Sequence, residues 1–115
     1  MAQYLILIYQ NESAADAGGE EQLRRNLAGF ARLHEKHGPA LRGGNALQRS
    51  ATATAIRPDG AEGFTMTHGP FVQSAESLGG YYLIEAADLD EAITIAKDVP
   101  MVFGGVEVRP IRTFD

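Results

Sequence analysis

The sequence predicts an α+β fold in which an antiparallel sheet carries two helices on one face. Residues 4–9 and 80–86 are apolar or aromatic at nearly every position, which is typical of strands covered on both faces. Residues 20–37, and a second stretch that begins at Asp88, show the three- and four-residue spacing of helices. Residues 106–111 alternate apolar and polar side chains, which indicates a strand with one wet face.

Length and composition indicate one domain over residues 1–115. The chain has 115 residues, of which 44% are hydrophobic and 22% charged, as in ordinary globular proteins. A net charge of −5 with no run of Lys and Arg argues against nucleic-acid binding. Cysteine is absent, which excludes disulfides, thiolate metal sites and a cysteine nucleophile.

The first third of the chain is expected to form a strand, a loop and a helix. Residues 4–9 form the strand, and the small, polar residues 11–19 form the loop. Residues 20–37 begin with two glutamates, end with basic side chains and are stopped by Gly38 and Pro39, as suits a helix and its dipole. The predicted stripe of this helix is Leu23, Leu27, Phe30 and either Leu33 or His34.

The middle of the chain is expected to form a hairpin followed by a loop. Residues 47–57 have extended character, Pro58, Asp59 and Gly60 supply a tight turn, and residues 63–67 return as a second strand. Residues 68–78 form an irregular loop. The four glycine doublets, such as Gly43 with Gly44, are interpreted as boundaries between elements.

The last third is expected to form a strand, a helix and a strand. Residues 80–86 give the clearest strand, with Tyr81, Leu83 and Glu85 on one face. Asp88 with Glu91 makes an N-cap and its capping-box partner. The helix that follows presents one apolar stripe and ends at Val99 and Pro100; the stripe is Leu89, Ala92, Ile93 and Ala96.

This order, β-α-β-β-loop-β-α-β, is the ferredoxin-like βαβ-βαβ pattern with an added hairpin strand. Two helices can cover only one face of such a sheet. Residues 4–9 and 81–84 nevertheless present apolar side chains to both faces, and monomers rarely leave so large an apolar patch in water. The sequence therefore predicts a homodimer that packs sheet to sheet.

No membrane segment or export signal is expected. No apolar run approaches the roughly 18 residues that a membrane span needs. Residues 1–9 lack the basic n-region of a signal peptide, so a cytoplasmic location is expected.

The motif His68-Gly69-Pro70-Phe71, followed by Glu76 and by residues 78–92, resembles the YCII-related family. The similarity is strongest to the branch named for its Asp-Gly-Pro-Phe (DGPF) motif. The resemblance implies a dimeric α+β barrel whose function is mostly unestablished. Some members of that branch are fused to, or encoded beside, sigma factors of the extracytoplasmic-function type, so a sigma factor is a candidate partner.

Two departures from the family pattern bear on chemistry. His68 stands where the motif has Asp, and Gln73, Ser74 and Ala75 replace the usual Glu-Thr-Lys. The smaller YCII-type proteins carry a His in their first helix, proposed to work with an Asp as an acid–base dyad. Residues 26–29 contain no His here, so that dyad is not carried over.

His68 is the candidate catalytic residue. It follows a strand and precedes a Gly-Pro turn, so a loop could aim it at the mouth of a barrel. Imidazole titrates near neutral pH and can act as a general acid or base, or donate a hydrogen bond to an anionic ligand. The alternative is structural, with His68 capping the turn in place of the family's Asp.

Candidate ligand-binding residues are Arg42, Phe71, Tyr81 and Arg109. An arginine fork can hold a carboxylate, and a tyrosine offers a flat apolar body with a hydroxyl tip. The alternatives are an ordinary ion pair between Glu107 and Arg109, and core or dimer packing for Tyr81.

No metal and no cofactor are expected. His34 and His37 are three residues apart, one short of the His-Glu-x-x-His zinc motif, and are expected to face solvent near the end of a helix. The sequence contains neither a dinucleotide-binding glycine motif, nor a phosphate-binding loop, nor a Gly-x-Ser-x-Gly nucleophile elbow.

Three functional hypotheses follow. The leading one is a homodimer that binds a small molecule or serves as an accessory or regulatory domain. The second is a cofactor-free isomerase or monooxygenase of the dimeric α+β barrel type, with His68 handling the proton and Arg42 or Arg109 holding an anionic substrate. The third is a protein-interaction module that works with a sigma factor.

Overall fold

A computed structural model describes residues 1–101 and 103–114. Six strands and three α-helices make up this part of the chain, with one-turn 3₁₀ helices at Gly38–Ala40 and Ser50–Thr52. In chain order the elements are β1 (Ala2–Asn11), α1 (Glu12–Ala17), α2 (Gly19–His37), β2 (Leu41–Ala46), β3 (Thr54–Pro58), β4 (Phe64–His68), β5 (Glu76–Ala86), α3 (Leu89–Ala96) and β6 (Gly104–Pro110).

The main sheet has the strand order β2-β5-β1-β6, and every neighbouring pair is antiparallel. With α2 after the first strand and α3 after the third, this is the ferredoxin-like arrangement, so the predicted fold class is confirmed. Strands β3 and β4 pair only with each other and form a separate two-stranded sheet inserted between β2 and β5.

One face of the main sheet is covered by helices α2 and α3, and the other face is not covered by them. Tyr4 and Ile6 on β1 and Ile84 on β5 point toward α2 and α3 and are buried in one core. Alternate residues point the other way, to the side opposite α2 and α3. We call this second surface the open face; it consists of Leu5, Leu7, Tyr9, Tyr81, Leu83, Glu85, Glu107 and Arg109.

The helices α2 and α3 pack only partly as their patterns predict. Leu33 of α2 and Ala92 and Ala96 of α3 are buried as expected. Leu23, Leu27 and Leu89 of the predicted stripes are exposed, whereas Ile95, outside them, is buried.

The Asp88 side chain accepts a hydrogen bond from the Glu91 N–H at 2.9 Å, which confirms the predicted N-cap of α3. Gly29 is buried where α2 approaches the segment after α3, and a Cβ there would come within 2.7 Å of Pro100. A glycine in mid-helix lowers helix propensity, but here it permits the close approach.

The predicted loop at residues 11–19 was wrong. Residues Glu12–Ala17 form helix α1, because the Asn11 side chain accepts a hydrogen bond from the Ala14 N–H at 2.9 Å and caps its first turn. Small and acidic residues here favour a short helix once that cap is present.

The predicted strand at residues 47–57 was also placed wrongly. The second strand of the main sheet is β2, Leu41–Ala46, and the hairpin strand β3 begins only at Thr54. Gly43 and Gly44, interpreted as a boundary, lie inside β2 beside an irregularity in its pairing with β5. Glycine has low strand propensity, so tertiary pairing outweighs the local preference.

We expect Gly44→Ala to destabilise the protein by about 1–3 kcal/mol, the usual cost of overpacking. A Cβ at Gly44 would lie 2.6 Å from the Tyr81 carbonyl oxygen and 2.8 Å from the Tyr82 ring. The matched control is Gly43→Ala, whose Cβ would be 3.9 Å from Leu83, an ordinary contact. Urea unfolding at one protein concentration measures both, and equal stability of the two variants would contradict the β2 pairing.

The described molecule is a plate rather than a sphere. Its Cα extents are 49 × 47 × 17 Å, and its radius of gyration is 16.3 Å. A compact chain of this length has a radius of gyration of about 13 Å. The accessible surface is 8152 Å², whereas a compact monomer of this mass exposes about 6,100 Å². The fold therefore leaves about 2,000 Å² more surface in water than its size requires.

Candidate functional site

The open face has an apolar centre between two ion pairs. Leu5 and Leu83 are direct cross-strand partners, and Leu7 lies beside Tyr81 in the same register. Each of these side chains is partly exposed. Apolar centres with polar rims are characteristic of protein interfaces.

The two ion pairs are formed by Arg42 and Arg109, which the sequence analysis proposed as ligand-binding residues. Arg42 Nε lies 2.8 Å from a Glu85 carboxylate oxygen, and Arg109 pairs with Glu107 on its own strand. The hydrogen bond to Glu107 raises the pKa of Arg109, so this guanidinium stays charged. Both arginines therefore already have carboxylate partners within the protomer.

A cleft of about 880 Å³ lies at one end of the open face. One wall is the sheet, through Tyr9 and Glu107; the other is the motif loop, through Pro70 and Phe71. The remaining lining includes the hydroxyl groups of Ser50, Thr52, Ser74 and Ser77. Aromatic walls with a few hydroxyl and charged groups are the usual makeup of a small-molecule site.

The segment of residues 49–52, which lines the cleft, is hydrogen-bonded to helix α1. The two carboxylate oxygens of Glu12 accept hydrogen bonds from the Ser50 hydroxyl at 2.6 Å and the Ser50 N–H at 2.8 Å. These bonds, the hydroxyl one first, lower the pKa of Glu12. Arg49 pairs with Asp16 at 2.7 Å beside them. Helix α1, which the sequence analysis did not predict, thus fixes the position of this segment.

We expect Ser50→Ala to lower stability at neutral pH and to have a diminishing effect in acid. A carboxylate whose pKa is lowered by folding stabilises the fold above its ordinary pKa of 4.5, and that stabilisation is lost as the pH falls through the folded value. Urea unfolding from neutral to acidic pH measures the difference between the wild type and Ser50→Ala. Ser13→Ala, an exposed serine on α1, is the control. A difference that does not shrink in acid would contradict this assignment.

The β3–β4 hairpin projects from the cleft, and we call it the arm (residues 54–68). His68 is the last residue of β4 and pairs with Thr54 across the arm. Its side chain is on the same face as Ile56 and Met66. Among the residues that line the cleft are Pro70 and Phe71 of the motif, but not His68.

The structure therefore brings together only part of the predicted site. Tyr81 and Arg109 lie on the open face, and Arg42 pairs with Glu85 of that face. Phe71 lines the cleft, and His68 is exposed on the arm. The Tyr81 hydroxyl accepts a hydrogen bond from Asn45 on β2 at 2.9 Å.

The two histidines expected to face solvent also have hydrogen-bond partners; His34 is exposed and His37 is partly exposed. His37 Nε2 lies 2.7 Å from Asp98, and hydrogen bonds from His37 and then Lys36 lower the pKa of Asp98. His34 Nε2 lies 3.0 Å from the Tyr82 hydroxyl, and partial burial raises the pKa of Tyr82. The first pair joins the end of α2 to the segment after α3. The second borders a groove of about 450 Å³ between α2 and the sheet.

A family model for the YCII-related domain matches residues 2–115. The chain belongs to the YCII-related family. It is similar to an uncharacterized protein of Rhizobium meliloti (strain 1021), with 32% identity over 120 residues that cover 96% of this chain and 93% of the relative. The DGPF branch that the motif resembles lies within this family.

In this YCII-related chain the motif loop is held by the backbone. The Gly69 N–H donates to the Ala53 carbonyl at 2.7 Å, and Gly69 has a φ of 113°, which favours glycine. The first amide after His68 thus has a partner other than the His68 side chain. The turn therefore forms although His68 stands where the family motif has Asp.

Two further features of the YCII-related chain concern its surroundings. Among the described residues, no helix combines the length and hydropathy needed to cross a lipid bilayer. The same residues contain no cluster of three or more His, Cys, Asp or Glu side chains suited to a metal ion.

Proposed function

We propose that this YCII-related protein is a cytoplasmic homodimer that binds a small molecule in the cleft beside the motif loop. The single observation that carries the proposal is the open face, an apolar centre with an ion-paired rim that borders the cleft.

The dimer accounts for the surplus surface. A stable interface of ordinary size buries about 800 Å² on each partner, and obligate homodimers bury more. The surplus of about 2,000 Å² per chain meets this requirement. Arg42 with Glu85 and Arg109 with Glu107 would then form the polar rim, where ion pairs contribute to specificity more than to affinity.

The cleft favours a ligand with an apolar ring and a hydrogen-bonding group. Phe71 and Val72 supply apolar contact, and the serine hydroxyls and Tyr9 supply hydrogen-bonding groups. The charged side chains that line the cleft are Arg49, Glu76 and Glu107. Because Arg49 already pairs with Asp16, an uncharged or weakly polar molecule fits better than a strong anion.

A thermal-shift screen with small phenols and aromatic amides tests the proposal. A ligand at about 100 times its Kd stabilises the folded state by about 2.7 kcal/mol. We expect Phe71→Ala to abolish the shift produced by a hit, and Phe114→Ala, which removes another exposed phenylalanine, to preserve it. A shift that survives Phe71→Ala would place the ligand outside the cleft.

Binding is better supported than catalysis by His68. In the part of the chain that the structure describes, the ion pairs involve side chains other than His68, whereas a catalytic base is usually oriented by a third group. A sigma factor as partner stays a prediction, to be tested by pull-down with the purified protein.

A further inference from the structure

The arm carries an apolar face that the described protomer leaves uncovered. Ile56, Phe64 and Met66 are 57%, 66% and 69% exposed. The register pairs Ile56 with Met66 and Pro58 with Phe64, so these side chains form one continuous strip. His68 ends the strip at the base of the arm. We call this strip the outer face of the arm.

The opposite face of the arm is partly occupied. Ala55 is buried, and the Arg57 guanidinium lies 3.7 Å above the Phe71 ring while donating to the Phe71 carbonyl at 3.4 Å. The motif loop therefore folds back against this inner face. The large apolar side chains of the arm, Ile56, Phe64 and Met66, point away from that contact.

The alternation in β4 is the reverse of what a solvated hairpin requires. Phe64, Met66 and His68 point outward, whereas Thr65 and Thr67 point to the inner face. A strand that displays its apolar residues outward is stable only when that side is covered. A lone two-stranded hairpin is in any case marginally stable in water. The arm therefore needs an apolar surface to pack on.

We infer that the outer face of the arm packs on the open face of a second copy, and that the two protomers of the homodimer make this contact reciprocally. Ala53 and Pro70, which adjoin the base of the arm, line the cleft together with Tyr9 and Glu107 of the open face, so the arm leaves the protomer next to the open face. Neither the strip nor the leucine centre carries a charge, so their contact requires no buried ion.

The position of His68 follows from its place at the base of the arm. The next residue, Gly69, donates its N–H to the Ala53 carbonyl at 2.7 Å, and Ala53 lines the cleft of the same protomer. His68 therefore stays beside its own cleft, and Ile56, Phe64 and Met66 are the arm residues that contact the second protomer.

The inference rests on the proposed homodimer and is tested with it by sedimentation across a concentration series. Met66→Lys introduces a charge into the outer face, and we expect it to raise the dimer Kd by about tenfold or more, equivalent to about 1.4 kcal/mol. Thr65→Lys places the same charge on the neighbouring residue of the same strand, facing inward, and is expected to leave the Kd near that of the wild type.

A labelling experiment supplies a second readout. The chain has no cysteine, so Met66→Cys and Thr65→Cys each carry a single thiol. We expect a maleimide to react more slowly with Met66→Cys than with Thr65→Cys in the dimer, and the difference to vanish on dilution. A wild type that is monomeric would overturn both the proposed function and the arm contact. A dimeric wild type with an unchanged Kd in Met66→Lys and unprotected labelling would overturn the arm contact alone.

Discussion

Leu5→Asp is expected to convert the protein from a dimer into a folded monomer. Leu5 lies at the centre of the open face, where its cross-strand partners are Leu83 and Arg109. In the monomer the new carboxylate can pair with Arg109 and remain in water. In the dimer it would be desolvated against an apolar surface, which costs several kcal/mol. Sedimentation is expected to give a mass near 12.4 kDa at concentrations where the wild type has twice that mass.

The matched control for this substitution is Leu89→Asp. Leu89 is an exposed leucine at the first position of α3, away from the open face, where an aspartate also suits the helix dipole. This variant is expected to dimerise like the wild type, and both variants are expected to keep the far-ultraviolet circular dichroism of the native fold. Dimerisation of Leu5→Asp with wild-type affinity would exclude the open face as the interface.

Ile6→Ala, one residue along β1, is expected to destabilise the fold itself by about 2–5 kcal/mol. Ile6 is fully buried and points to the other side of the sheet, into the core shared with α2 and α3. Removing its side chain leaves a cavity between the sheet and the helices, and neighbours that are themselves packed fill it only in part. Urea unfolding monitored by circular dichroism measures the loss.

The control for Ile6→Ala is Ile111→Ala, because Ile111 is partly exposed just after β6 and its loss is expected to change stability by less than about 0.5 kcal/mol. Ile6→Ala is also expected to lower stability at every protein concentration, whereas the effect of Leu5→Asp grows with concentration. Equal costs for Ile6→Ala and Ile111→Ala would mean that the helices do not pack on this face.

The fold class was predictable because its strongest elements carry local signals. Residues 4–9 and 80–86 are apolar at nearly every position, which is typical of strands, and Asp88 with Glu91 marks the start of α3. Strand β2 carried no such signal, since two of its six residues are glycine. Its position depends on pairing with β5, a contact distant in sequence.

The candidate site was predictable only in part for the same reason. Strand alternation correctly placed Glu107 and Arg109 on the side opposite Val106 and Val108. The contact between Glu12 and Ser50 joins residues 38 positions apart, and no local pattern announces it. The exposed arm was predicted as a hairpin, but its detachment from the main sheet is a property of the tertiary fold.

Sedimentation equilibrium of the unaltered protein at micromolar concentration tests the central claim most directly. We expect a mass of twice 12.4 kDa. A species of 12.4 kDa that persists as the concentration rises would contradict the proposed dimer.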